Sequence, residues 1–221
     1  MAFESPIDLI AAGSKNMPLQ NRVDAFGELI AIDARGTVLG NRGGRFHRDD
    51  RTLGRRRHAS RTWICCRLEF NRRHREVWGK YYTELFFLDE VTAFSAGHRP
   101  CFECRRKDAE TFAALWPDPP NPGRRARAAD MDRVLHSERL HGRLKRKHPR
   151  SIEDLPAGAM IEFDGFAWAV HGKSLLRWTP AGYRQRRRRP GGIEVSVLTP
   201  PSICCGPCRR LSSPMASQRC R

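Results

Sequence analysis

Two cysteines separated by two residues set the tightest constraint on this chain. In "AGHRPCFECRRKD", Ala96 to Asp108, Cys101 and Cys104 follow a His-Arg-Pro turn and precede a basic helical run. A turn between two thiols brings both sulfurs to one side. A helix opening at the second cysteine points its first amides at them, which favours the thiolate. Half of a tetrahedral zinc site is then in view, and two more N or S ligands must come from elsewhere. Zinc is the expected cofactor, with an unliganded reduced or redox pair as the bland alternative.

The other ligands are open on sequence. Cys66 and His136 are the candidates carried forward, beside Cys65, His47 and His98. Cys65 and Cys66 are adjacent in an apolar run, so on a strand they face opposite sides and at most one can reach a given site; either could equally be a small core thiol. His98 lies in the turn itself, where a structural or solvent-facing role is expected. A second C-x-x-C, Cys205 and Cys208, would complete an all-thiolate set by spacing. The composition changes after Pro201, however: four cysteines fall in the last 20 residues with no apolar periodicity, as in a shifted reading frame or a divergent appendage.

Pattern divides the chain into a loose leader (1–21), a strand-rich region holding the C-x-x-C (22–118), a Pro/Arg-rich linker (119–127), a helix followed by an antiparallel meander (128–200) and an atypical Cys-rich tail (201–221). "TWICCRLEF" and "YYTELFFL" read as two strands joined by a basic turn. Asp89 is a helix N-cap for "EVTAFSA", which Gly97 stops. "CRRKDAETFAALW" predicts a helix ended by Pro117, and "AADMDRVLHSERLHGRLKRK" an amphipathic helix with a basic end. Asp164-Gly165 and, more weakly, His171-Gly172 mark the turns of a three-stranded meander. "RQRRRRPGG" reads as a basic loop before a last strand, "GIEVSVLTP".

The helix, Gly turn, Arg-Pro and C-x-x-C, carried by Ala93, Ala96, Gly97, Arg99, Pro100, Cys101, Cys104, Arg105 and Asp108, resemble the second cysteine pair of the Ada-type zinc domain, which opens bacterial methylphosphotriester-repair proteins. The likeness spans about 20 residues. It implies a bound zinc and alkyl transfer to a zinc thiolate, but the upstream cysteine pair that supplies the methyl acceptor in that family has no counterpart here. Val23 to Thr199 also resembles a family of uncharacterised bacterial proteins through "ARGTVLGNRGGRFH", "YYTELFFLDEVTAFSAGHRPCFECRR" and "LHSERL". The expected class is α+β: a small mixed zinc-binding core, Ada-like or treble-clef-like, then a helix and an antiparallel meander.

A formal net charge of +17, from 41 Lys+Arg against 24 Asp+Glu, suggests a polyanionic partner. Arginine dominates the positive charge, and its fork matches phosphate oxygens in pairs, so nucleic acid is expected, DNA rather than RNA. The contacts anticipated are Arg55, Arg56, Arg57, Arg72, Arg73, Arg105, Arg106, Arg186 and Arg187, with Trp63, Trp78, Trp168 and Tyr183 interleaved. A solvated basic surface is the alternative. No H-E-x-x-H, P-loop or dinucleotide fingerprint and no nucleophile-elbow serine is present; should the chain be an enzyme, the expectation is a metal-dependent nuclease on a ββα-like scaffold. Its polar residues would come from His136, Asp132 and His47, with Asn41. No run approaches the ~18 apolar residues of a membrane span. The N-terminus lacks a basic start, so a cytoplasmic location without membrane partners is expected, and there cysteines serve as thiols or ligands.

Overall fold

The computed structural model describes residues 17–73, 76–117, 119 and 123–207. In its first half, β1 (Arg22–Val23), β2 (Leu29–Ile30), β3 (Val38–Arg42), β4 (Trp63–Cys66), β5 (Leu85–Phe87) and β6 (Arg99–Pro100) form a six-stranded mixed sheet in the order β2-β1-β5-β3-β4-β6. The two expected strands exist, yet β3 sits between them and pairs antiparallel with both. Apolar periodicity marks a strand without naming its neighbour. Gly40 permits this insertion, since a Cβ there would lie 2.5 Å from the Ile64 carbonyl oxygen and 2.7 Å from the Phe87 ring.

Helices α1 (Glu90–Ser95), α2 (Arg106–Ala114) and α3 (Ala128–Arg139) cover this sheet. Asp89 caps α1 as expected, accepting from the Thr92 N–H (2.8 Å) and hydroxyl (2.7 Å). Gly97 turns the chain out of α1 at φ +81°, a left-handed conformation that suits glycine. Phe94 from α1, Phe112 from α2 and Met131 and Leu135 from α3 pack on Leu85 and Phe87. Each such buried side chain stabilises the fold by roughly 1.5–3 kcal/mol.

The third helix ends eight residues before its basic run does, and β7 (Leu140–His141) and β8 (Leu144–Lys145) form a small hairpin through Gly142. "LHGRLK" alternates as well as it spirals, and Gly142 at φ +62° selects the turn.

In the second half, β9 (His148–Ser151), β10 (Met160–Phe163), β11 (Phe166–His171), β12 (Ser174–Thr179), β13 (Gly182–Arg188) and β14 (Glu194–Val197) form a second sheet, ordered β13-β12-β11-β10-β14-β9. The β10-β11-β12 meander turns at Asp164 (φ +51°) and Gly165 (φ +74°), both left-handed as a tight hairpin requires. The expected basic loop is largely strand: β13 is an edge, paired on one side only, so it needs no apolar alternation, and its arginines deter pairing with another edge. Trp168, Val170, Leu175 and Val197 form this sheet's core.

Ala25, Met160, Ala169 and Leu198 join the halves, with Phe26 and Val91 against them. Two polar ties cross the same seam: the Trp178 indole N–H donates to Thr92 Oγ1 (2.9 Å), and the Tyr183 hydroxyl to Asp89 Oδ2 (2.9 Å). The packed body continues beyond residue 200 into α4 (Pro201–Cys205), whose Ile203 is fully buried in the first core. Residues 208–221 of the Cys-rich tail lie outside the described residues. Among the described residues no helix is long and apolar enough to cross a membrane.

Candidate metal centre

Cys66 closes β4 and Cys101 follows β6, which lies parallel to it; the Cys101 N–H donates to the Cys65 carbonyl at 3.0 Å. That bond holds the C-x-x-C turn against the strand end. The sulfurs of Cys66, Cys101 and Cys104 are buried and lie within 4.8 Å of one another. Four-coordinate zinc with Zn–S bonds of ~2.3 Å needs sulfurs about 3.8 Å apart, a spacing inside that limit, so the group could hold a metal ion. Cys65 points to the other face and is fully buried in the helix-covered core, as strand alternation requires.

The three thiols act on one another. Hydrogen bonds from the Cys104 and Cys66 thiols, with help from the Glu103 N–H at 3.4 Å, draw the Cys101 thiol well below its ordinary pKa. The bonds to Cys101 push Cys66 and Cys104 the other way, and burial adds to both. Thiolates gathered this closely would be stabilised by positive charge beside them.

Among the described residues no fourth His, Cys, Asp or Glu joins the cluster. Cys66 and Cys101 instead line a cavity of about 430 Å³. Tyr81 and Tyr82, 73% and 50% exposed, stand on its wall with Arg73 and Lys80, while Glu76, Glu84 and Glu103 temper the charge.

The remaining sequence candidates are dispersed. His47 is buried, stacked on Trp78 with ring centroids 5.1 Å apart, and its Nδ1 lies 2.8 Å from Thr83 Oγ1. His98 is a core residue rather than a solvent-facing one, fully buried between Trp63 and Phe87, and neither ring nitrogen has a partner among the described residues. His136 faces His58 and lies 3.2 Å from an Arg139 nitrogen; burial, then the Arg139 charge, pushes it down to about 4. Asp132 is sealed in a two-pronged ion pair with Arg99, at 2.8 and 2.9 Å. Asn41 accepts from the Gly43 N–H at 3.0 Å. His47, Asp132 and His136 therefore do not assemble into a metal-holding group among the described residues. Cys205 is exposed and apart from the cluster, and Cys208 lies outside the described residues.

The arginines divide. Arg105 is engaged by Glu90 and by Asp108 (2.9 Å) and donates to Cys65 Sγ (3.3 Å), bracing the cysteine turn from behind. Arg73 pairs with Glu103, Arg106 with Glu110 and Arg187 with Asp164, all at the surface, while Arg186 donates to Ser174 Oγ. Arg72 is exposed in a left-handed turn. Arg55, Arg56 and Arg57 line a second cavity together with the buried Arg42 and Arg139, which sequence reasoning missed. Of the interleaved aromatics, Trp63, Trp78 and Trp168 are buried and Tyr183 is tied to Asp89, whereas Tyr81 and Tyr82 are exposed.

Fold and site together define a mixed, mostly sheet protein with a buried three-cysteine cluster that could hold a metal. No protein-family model matches the chain, and no curated protein or solved structure matches it either.

Proposed function

We propose that the protein binds zinc through Cys66, Cys101 and Cys104 and binds nucleic acid, DNA before RNA, through its arginine-rich surface. The observation that carries this reading is the buried thiol cluster. Its surroundings fit an Ada-like core, with the C-x-x-C between a short strand and a helix and Cys66 in place of the upstream pair. Zinc would supply the charge that keeps three thiolates together, and the cavity beside Cys66 and Cys101 would give solvent or a ligand access to it. Exposed Arg55, Arg56 and Arg72 and the β13 arginines supply phosphate contacts.

Elemental analysis tests the metal: one zinc per chain is expected, lost in Cys66→Ser and Cys101→Ser and retained in Cys65→Ser. Zinc retained in Cys66→Ser would refute the ligand set. Anisotropy with a fluorescent oligonucleotide tests the partner. Each neutralised phosphate contributes about −0.9 to the slope of log K against log salt on duplex DNA, so affinity that ignores salt would refute it.

A second reading, alkyl acceptance, has its own support: Cys66 and Cys101 line an open cavity rather than a sealed core. A thiolate there would attack the methyl carbon of a phosphotriester, forming an S–C bond as the C–O bond breaks and the phosphodiester leaves as an anion. Intact-mass analysis after exposure to methylated DNA should show one added methyl group, and no mass change would close this reading.

A further inference from the structure

Between the β7-β8 hairpin and the Arg55–Arg57 loop lies a cavity of about 510 Å³, away from the thiol cluster. Trp63 lines it beneath two guanidiniums, with Arg42 Cζ 4.0 Å and Arg139 Cζ 3.9 Å from its ring. Both arginines are almost completely buried, at 2% and 1% exposure. Neither has a described carboxylate within ion-pair reach.

Their partners are backbone carbonyls instead. Arg42 donates to Gly27 (2.7 Å) and Arg57 (3.3 Å), and Arg139 to Gly97 (2.9 Å) and Arg61 (2.7 Å). A guanidinium has five N–H donors, and the Nε of each arginine is buried without an acceptor among the described residues. Lys145 joins them from β8, its ammonium drawn inward to the Ser95 carbonyl. The rim adds Arg55, Arg56 and Arg143, against Glu28 as the one carboxylate among the lining residues.

Such an arrangement is costly in isolation. Uncompensated buried charge costs several kcal/mol per ion, and like charges add repulsion. Burial, then Arg42 and Arg139, lowers the Lys145 ammonium to about 7, and burial lowers both guanidiniums. Glu28 and Asp24 offset part of the Arg42 charge from a distance. An anion in the cavity would remove the penalty for all three cations at once.

We propose that this cavity binds a phosphate monoester, whose dianion neutralises Arg42, Arg139 and Lys145. Planar arginine forks match phosphate oxygens in pairs, and two negative charges suit three converging cations better than the single charge of a carboxylate. The volume falls in the range of small-molecule sites and is ample for a mononucleotide. A free nucleotide and the terminal phosphate of a nucleic-acid strand present the same chemistry. Only the second source rests on the nucleic-acid reading above.

Calorimetric titration of the full chain with inorganic phosphate, AMP, adenosine, and a single-stranded oligonucleotide bearing a 5′-phosphate or a 5′-hydroxyl separates these sources. AMP is expected to bind and adenosine not; a strand-end ligand further predicts at least tenfold tighter binding of the phosphorylated strand. AMP binding with no gain from the strand phosphate assigns the site to free nucleotides. Lys145→Met should weaken AMP at least tenfold, and the exposed Arg143→Ser, which disturbs no core contact, about threefold. If no phosphorylated probe exceeds its dephosphorylated counterpart, or if both variants bind AMP as the wild type does, the proposal is overturned. Salt-sensitive binding of the 5′-hydroxyl strand in that case would leave the arginine-surface reading standing, and phosphate binding without any strand binding would leave only the cavity.

Discussion

Replacing Asp132 with alanine should destabilise the protein by about 3–5 kcal/mol, the usual cost of leaving one member of a buried ion pair alone. Arg99 and Asp132 meet at two points, 2.8 and 2.9 Å, and their side chains are only 5% and 7% exposed. Water cannot take the place of the lost carboxylate. At roughly 2–4 °C per kcal/mol for a chain of this size, the melting temperature should fall by on the order of 10 °C. Arg99 belongs to β6, directly before the cysteine turn, so the same variant should hold zinc less tightly. Urea denaturation followed by tryptophan fluorescence gives the free energy. The double variant Arg99→Met, Asp132→Ala should recover most of the loss, because no charge is then left unpaired. An Asp132→Ala protein within about 1 kcal/mol of the wild type, or a double variant worse than the single, would refute this account.

Further outcomes follow from other sites. His98 is buried with no hydrogen-bond partner among the described residues, and burial, reinforced by Arg42, Arg139 and Lys145, holds its pKa well below the ordinary value. The unfolded chain therefore binds one more proton as pH falls below about 6.5, and stability drops by at most about 1.4 kcal/mol per pH unit in that window. His98→Leu should flatten this acid limb; parallel denaturation curves between pH 6.5 and 4 would contradict it. Gly97→Ala places a Cβ 2.8 Å from Arg139 at φ +81° and should cost about 1–3 kcal/mol by thermal melting. A chelator such as EDTA should lower the melting temperature of the wild type but not of Cys66→Ser, and equal shifts would argue against a structural metal. Tyr183→Phe should weaken the seam by about 1 kcal/mol in urea denaturation, and an unchanged midpoint would mean that Asp89 finds another donor.

Local chemistry was legible where one short stretch decides it. Asp89 as a cap, Gly97 as a stop and Asp164-Gly165 as a turn need only their own neighbours, and each lies where its chemistry requires. Strand alternation likewise separates Cys65 from Cys66 on sequence alone. Pairing was not legible, because insertion of β3 between β4 and β5 depends on Gly40 fitting against Phe87 from far along the chain. Nor was the fate of charged residues. A composition rich in arginine does not distinguish Arg105, held by two carboxylates, from Arg139, stacked on Trp63 with carbonyl partners. The signal for Arg139 was faint: it falls on the apolar face of α3, four residues after the buried Leu135.

Asp89 serves two elements with its two oxygens, one closing the first turn of α1 and the other receiving Tyr183 from 94 residues further along the chain. During synthesis at about 5–20 residues per second, that second oxygen stays hydrated for several seconds after the helix has begun. All three cluster cysteines emerge within the first 104 residues. All strands of the first sheet can thus be outside while the second sheet is still inside the ribosome, and Tyr183 then ties the later sheet back to the helix cap of the earlier one.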